Sequence, residues 1–187
     1  MAKTYEFIHI YNGLDSEVAV APKGSTYMEG IGPAEDPFEE VGWLSEDGVS
    51  EETSADQEPF RAFQGSKIVK RIIPEAETSF TFQCLEANAV VHGLKTRGAT
   101  TTVEAGVAKT VRDRETAVDE RTWRVRTIAD DGTEAISQFV GVHSQSGAIE
   151  KTATGLTVYE YTVSPIGDIT EYTNHPGIVG DAGDPTP

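Results

Sequence analysis

Four histidines and one cysteine are the residues of this chain best suited to hold a metal ion or to act as a nucleophile. The histidines stand at positions that no short motif connects, namely His9, His92, His143 and His175. None has a histidine partner at i, i+4 or a neighbouring cysteine, so their spacing predicts surface or core histidines and no metal site. Cys84 lies in the alternating run TSFTFQCLE. Burial in apolar surroundings makes a thiol inert, and we expect this one to be a small buried hydrophobe.

Carboxylates are the other residues that could do chemistry. Two adjacent pairs, Glu39 with Glu40 and Asp130 with Asp131, could in principle act as general acid and base. Adjacent acids in turns and loops are far more often solvated charge or turn chemistry. The chain has no nucleophile elbow, phosphate-cradling glycine loop, catalytic cysteine signature or EF-hand spacing. We therefore predict no catalytic residue, no cofactor and no enzyme activity.

Composition limits the partners that the chain can have. Its 187 residues include 31 acidic and 15 basic side chains, giving a formal charge of -16. One core is expected, and attraction to nucleic-acid phosphates is disfavoured. A single cysteine cannot build an internal disulfide framework. No segment has the apolar length of a signal peptide or a membrane span, so we expect folding in a cytoplasm and no membrane partner.

Two pairs of segments have the composition of strands joined by short turns. The runs FRAFQGSKIVKRI and ETSFTFQCLE, linked through Pro74, predict one antiparallel hairpin, with Phe80, Phe82 and Cys84 on one face of its second strand. The runs RTWRVRTIA and TEAISQFVGV predict a second hairpin, because Asp-Gly between them is preferred in tight turns. In this second hairpin Trp123 and Val125 face one way, and Arg124 and Arg126 face the other.

The remaining elements complete a mainly β fold. ATTTVEAGVAKTV is rich in the residues of strands, and LTVYEYTVSP places Tyr159, Tyr161 and Val163 on one face until Pro165 ends the strand. Only EANAVVHGL has near-helical spacing, with Gly93 as its terminator. The predicted fold is an antiparallel β-sandwich or open barrel with one short helix and a long acidic loop.

That loop belongs to the first of two acidic regions. From Gly24 to Phe60 there are 11 acidic and no basic residues, and from Thr152 onward there are five acidic and none basic. Within GWLSEDGVSEETSADQEPFRAFQG, no hydrophobic period fits Ser45 to Glu58, which predicts a loop over 42–58. Structureless loops of this length are uncommon unless they are functional or disordered. Trp43 and Phe63 provide apolar ends that an idle loop does not need.

The order of these segments resembles the major tail proteins, or tail tube subunits, of long non-contractile bacteriophage tails, especially those of phages infecting actinobacteria. The similarity covers roughly residues 17–168. It is carried by VAVAPKGSTYMEG, by the box from Gly42 to Gly48, by the strand start at Phe63, Gln64 and Gly65, by FQCLEANAVVHGL and by YEYTVSPIGD. Residues 169–187 extend beyond the family layout and are expected to be a flexible extension of a 1–168 tail tube domain.

The resemblance implies a structural protein of the virion tail that is assembled in the host cytoplasm. Its subunits are expected to form hexameric rings that stack into a hollow tube around a tape measure protein, with tail terminator and initiator proteins as further partners. DNA leaves through the lumen without tight binding, which an acidic surface favours. The candidate interface residues are Trp43, Leu44, Ser45, Glu46, Asp47, Gly48, Val49, Phe60 and Phe63.

The acidic loop is expected to be mobile in the monomer and ordered in the tube. Its carboxylates would meet basic side chains of a neighbouring subunit, either Lys67, Lys70 and Arg71 or Arg121, Arg124 and Arg126. Three other interpretations stay open. They are the tube of a bacterial phage-like particle, a free-standing β-sandwich binding module that stays monomeric, and a glycan-cleaving enzyme whose turnover is lost on changing one carboxylate.

Overall fold

The computed structural model describes residues 9–55, 58–61, 63, 65–72, 76–97, 99–112 and 118–179. It is mainly antiparallel β, as the sequence predicts. The strands are β1 (Glu17–Pro22), β2 (Glu39–Glu40), β3 (Leu44–Ala55), β4 (Glu58–Arg61), β5 (Ile68–Ile72), β6 (Ala76–Cys84), β7 (Thr101–Glu104), β8 (Val107–Thr110), β9 (Glu120–Ile128), β10 (Glu134–Gln145), β11 (Tyr159–Pro165) and β12 (Thr170–Thr173). The helices are α1 (Ala89–Thr96) and the single turn α2 (Pro176–Val179). No helix in these ranges is long and apolar enough to cross a membrane.

One large sheet folds over a shared core. Its strands follow the order β2-β1-β9-β10-β11-β6-β3, and β12 pairs with the first half of β10. Although β10 and β11 separate β9 from β6 in this order, the rings of Phe82 and Trp123 lie 6.0 Å apart. Phe80 stacks on Phe139 of β10 at 4.7 Å. The sheet must therefore curve back on itself, which fits the open-barrel prediction.

The second predicted hairpin is confirmed. β9 and β10 pair in register around the turn at residues 129–133. Trp123 and Val125 enter the core, while Arg124 and Arg126 lie on the opposite face. The alternating faces predicted for β6 and β11 are also confirmed, because their aromatic residues and Val163 are buried. Cys84 is fully buried, and this burial raises the pKa of its thiol to about 12.

The outer face of β9 carries a buried ionic network instead of solvent-exposed charge. Arg124 Nη1 donates to Glu17 Oε1 at 2.7 Å, and Arg126 Nε donates to Glu134 Oε2 at 2.8 Å. The Arg126 hydrogen bond lowers the pKa of Glu134, whereas burial is the largest effect on Glu17 and raises its pKa. The same groups bind the backbone of the segment above them: Arg124 donates to the Gly32 carbonyl, and the Ala34 N–H donates to Glu17.

The helix extends further than its sequence suggests. Asn88 caps its first turn by accepting the Val91 N–H at 2.9 Å, and Arg97 ends it in a left-handed conformation. Gly93 is therefore inside the helix, and the prediction that it terminates the helix is wrong. The helix packs against the core through the side chains of Val91 and Leu94, and the Tyr161 hydroxyl donates to the Val91 carbonyl at 3.2 Å.

Two further predictions are corrected by the pairing of the strands, and one is confirmed. FRAFQGSKIVKRI and ETSFTFQCLE do not form one hairpin, because β5 pairs with β4 whereas β6 pairs with β3 and β11. The strand composition of ATTTVEAGVAKTV is confirmed, because the segment forms β7 and β8 around a turn at Ala105 and Gly106. Thr170–Thr173 pairs with β10, so the extension after residue 168 is not wholly flexible. Residues 180–187 lie outside the described ranges.

His143 is the buried titratable group that ties α1 to the sheet. Its Nε2 donates to the Leu94 carbonyl at 2.9 Å, while Nδ1 is buried with no hydrogen-bond partner among the described residues. The ring lies 5.7 Å from Trp123. Burial is the main cause that lowers the pKa of His143, because it disfavours the charged imidazolium form.

The lowered pKa of His143 makes the folded protein lose stability as the pH falls. As the pH falls through the ordinary histidine value of about 6.5, the unfolded chain takes up a proton that folded His143 resists, and stability is lost. Urea unfolding at about pH 7.5 and about pH 5.5 should show a smaller loss for His143→Gln than for the wild type. His92→Gln, at an exposed position, should keep the wild-type loss. An equal loss in His143→Gln and wild type would contradict this role.

Candidate subunit interface

The acidic segment predicted as a loop is one strand of a long hairpin. β3 pairs with β6 from Leu44 to Ala55, and β4 pairs with β5 immediately beyond. The prediction of a structureless loop over 42–58 is therefore wrong for the described residues of that range. β11 pairs with β6 only between Phe80 and Cys84. We call the described residues between 50 and 79, which lie beyond that pairing, the arm.

The side chains of the arm explain why its sequence conceals a strand. Residues 50–55 of β3 are all exposed, so neither face needs apolar residues and no period of two appears. Order comes from backbone pairing and from cross-strand contacts such as Thr53 with Thr78, whose hydroxyls lie 3.1 Å apart. Backbone pairing leaves no hydrophobic signature, and only the partner strand shows that it exists.

The segment from Gly42 to Gly48 contains a large bulge at the base of this hairpin. Leu44 pairs with Cys84 and Val49 pairs with Phe82, so an advance of five residues along β3 corresponds to an advance of two residues along β6. The Trp43 N–H donates to the Glu86 carboxylate at 3.1 Å, and the Trp43 carbonyl accepts the Leu85 N–H at 2.9 Å. These bonds attach the box to the start of the helical segment.

Several of the apolar candidate residues are exposed. Trp43 is 63% exposed and Phe63, at the tip of the β4–β5 hairpin, is fully exposed. Phe60 is 45% exposed on the same hairpin. Leu44 and Val49 instead pack partly against the core. The structure thus separates the candidates into an exposed set and a set that anchors the bulge.

A cavity lies between the bulge and the opposite strands. It has a volume of about 410 Å³ and is lined by apolar groups such as Phe80 and Val125 together with the acidic Glu46, Asp47 and Glu51. Although Glu51 is exposed, partial desolvation is the first cause, and nearby Glu171 the second, that raises its pKa. The carboxylates therefore concentrate negative potential at the base of the arm.

The proposed basic partners of this acidity need correction. Arg124 and Arg126 are buried and bonded within their own chain, and Arg121 bonds to Asp119 at 3.0 Å. They do not offer a basic face to a neighbouring subunit. Of the second set, Lys67 is exposed, whereas the side chains of Lys70 and Arg71 lie outside the described part of the chain.

Sequence spacing also missed one side-chain cluster. His9 and His175 are 166 positions apart, yet their Nε2 atoms lie 2.7 Å apart beside Asp131 of the β9–β10 turn. A search for i, i+4 histidines could not find this pair because it is formed by the two ends of the chain. The other acidic pair, Glu39 with Glu40, forms the exposed edge strand β2.

Comparison with known proteins yields structural similarities of low identity. No family model and no curated protein matches the chain. It is similar to a chain in the tail of an empty gene transfer agent particle solved by helical refinement with C6 symmetry, with 15% identity, a TM-score of 0.47, and coverage of 85% of this chain and 96% of that one. It is also similar to a chain in the virion of a native gene transfer agent particle, with 14% identity, a TM-score of 0.44, and coverage of 86% and 97%.

Gly42 provides a test of the bulge. Its φ is +89°, and an added Cβ would lie 2.7 Å from the Glu86 carboxylate that accepts the Trp43 N–H. Gly42→Ala should lower the free energy of unfolding by about 2 kcal/mol, from left-handed strain of about 1 kcal/mol and a weakened hydrogen bond. Gly48→Ala is the matched control, because its φ is +64° with nothing within 4 Å of the Cβ. Equal losses in urea unfolding would show that the contact with Glu86 is unimportant.

Proposed function

We propose that this chain is a structural tail tube subunit of a phage or phage-like particle. Six copies form a ring, the rings stack coaxially, and the resulting conduit encloses a tape measure protein before it passes DNA. Tail initiator and terminator proteins lie at the two ends of the tube. The proposal rests on the family layout of the sequence and on the geometry of the arm. The protein acts in the virion tail after assembly in the host cytoplasm.

The free edge of β3 is the observation that carries the proposal. β3 is 12 residues long, and in the described part of the chain it pairs on one side only, with β6, at Leu44 and from Val49 to Ala55. Long exposed edges promote uncontrolled pairing, and proteins normally keep them short, charged or covered. A closed ring in which each arm lies against the next subunit covers every such edge without leaving a free end.

Charge and apolar exposure along the arm fit regulated self-association. Glu51 and Glu52 on β3 repel a second copy that approaches edge to edge in the same orientation. Trp43 and Phe63 offer apolar area at the base and the tip of the hairpin, and aromatic residues of this kind dominate interface energetics. In the proposed interface the two aromatics are the anchors among the nine candidate residues, and Leu44 and Val49 hold the bulge against the core of their own subunit.

The net charge suits a conduit for DNA. At -16 per subunit, a ring of six carries a large negative charge that repels phosphates and lets a duplex slide. Acidity also keeps a highly expressed subunit soluble before assembly. Both effects favour a subunit that stays dispersed until an initiator nucleates the tube.

Sedimentation velocity and negative-stain electron microscopy test this function. We expect rings or tubes in concentrated protein, or after addition of tape measure and initiator proteins. Trp43→Ala and Phe63→Ala should each raise the concentration needed for assembly about 30-fold, as expected for loss of about 2 kcal/mol at an interface anchor. Leu156→Ala is the control, because Leu156 is 78% exposed and lies outside the arm.

Two results would contradict the proposal. A monomer at every concentration, without tubes even when initiator components are present, would favour a free-standing β-sandwich binding module. Normal assembly by both aromatic variants would remove the arm and the bulge from the interface.

A further inference from the structure

The cluster at the β9–β10 turn brings together ligand atoms suited to a metal ion. Nε2 of His9 lies 2.7 Å from Nε2 of His175, and the two rings are nearly perpendicular at 81°. Nδ1 of His9 lies 3.0 Å from Oδ2 of Asp131. One ligand atom from each of His9, Asp130 and Asp131 lies within 4.8 Å of the others.

Hydrogen bonds outside the cluster bring its three segments together independently of the histidine and aspartate side chains. The Asp130 N–H donates to the Ile10 carbonyl at 3.0 Å, which places the N-terminal segment beside the turn. The Glu134 N–H donates to Asn174 Oδ1 at 2.7 Å, which places the C-terminal segment on the other side. The His9 side chain is 6% exposed. The cluster is therefore a built feature of three converging segments.

Two imidazole nitrogens that face each other need a positive centre between them. In the hydrogen-bonded arrangement this centre is a proton, because one Nε2 donates to the other. A divalent ion can take the same place, since imidazole nitrogen is a good ligand for zinc, nickel, copper and cobalt. A carboxylate on the second nitrogen of a ligating histidine is the usual outer partner of such a site, and Asp131 already occupies that position on His9.

We propose that His9 and His175 bind one first-row transition-metal ion of the zinc class, with Asp131 orienting His9. The two Nε2 atoms are the nitrogen ligands. Water molecules complete a tetrahedral set, and the Asp130 and Asp131 carboxylates beside His9 favour a bound cation. The inference does not depend on the tube function, because none of these residues belongs to the arm.

Binding requires a small and specific rearrangement. Ligands about 2.1 Å from a tetrahedral ion lie roughly 3.4 Å apart, so the rings must separate by about 0.7 Å. The Gly177 N–H now donates to His175 Nδ1 at 3.0 Å, which places the ring proton on Nε2. When Nε2 takes the metal, that proton moves to Nδ1 and Gly177 turns away. Gly177 lies in the single exposed turn α2, where this shift meets little resistance.

Metal titration of the full chain, free of any histidine tag and stripped with EDTA, tests the site. Calorimetry with zinc chloride should show one ion bound per chain. Zinc at about 100 times its Kd should raise the Tm by about 5 to 10 °C. Cobalt chloride should give the visible absorption of a tetrahedral ion. Magnesium and calcium, which prefer all-oxygen ligands, should produce neither effect.

Variants separate the metal site from the hydrogen-bonded pair. His9→Gln and His175→Gln should each weaken zinc binding by 100-fold or more, and Asp131→Asn by about 10-fold. His92→Gln is the matched control, because His92 is exposed and hydrogen-bonded to Thr110 outside the cluster. Circular dichroism of each variant confirms folding before titration. If His9→Gln lowers the Tm in EDTA, a zinc titration below that Tm still measures the loss of the ligand.

Three outcomes would overturn the proposal. One is the absence of saturable zinc binding by the wild type. Another is zinc binding that survives both His9→Gln and His175→Gln. The third is equal binding of magnesium and zinc, which would indicate unspecific attraction to the acidic surface. Any of these would leave His9 and His175 as a hydrogen-bonded pair only.

Discussion

The two-sided alternation of β9 is the constraint on which the rest of the structure depends. One face sends Trp123 into the aromatic core, where its ring lies 6.0 Å from Phe82 and its Nε1 donates to the Gly141 carbonyl. The other face places Arg124 and Arg126 under the 23–38 segment, paired with Glu17 and Glu134. A one-residue slip of β9 would exchange these environments and bury unpaired charge in the core. The register of β1 and β10 follows from it.

This rigid body supports a hairpin that has little core of its own. The described side chains of the arm are exposed or half-buried, but its base is attached through the bulge to Cys84, Glu86 and the capped helix. A hairpin that is paired within the subunit has already lost much of the backbone entropy that a flexible loop would lose on association. Assembly therefore requires less ordering than a mobile loop would, and its control shifts to charge and to the partner surface.

Sequence patterns predicted elements whose side chains meet a core and failed where pairing alone creates order. The alternation in β6, β9 and β11 identified their buried faces, and Asp-Gly identified the β9–β10 turn. The pattern did not predict the strand β3, because both faces of the strand beyond Ser50 are exposed. The arginines of β9 were expected on an open surface, since only tertiary structure shows the segment that covers them. The meeting of His9 with His175 has no local signature at all.

Amide hydrogen exchange over Ser50–Ala55 would show whether the free edge of β3 is a contact between subunits. In an antiparallel edge strand alternate amides point toward the partner strand and away from it. In the isolated subunit every second amide of this stretch should exchange rapidly while its neighbours are protected by β6. In the assembled particle the rapid amides should become protected as well. Unchanged rapid exchange of these amides in assembled particles would contradict a role of this edge in assembly.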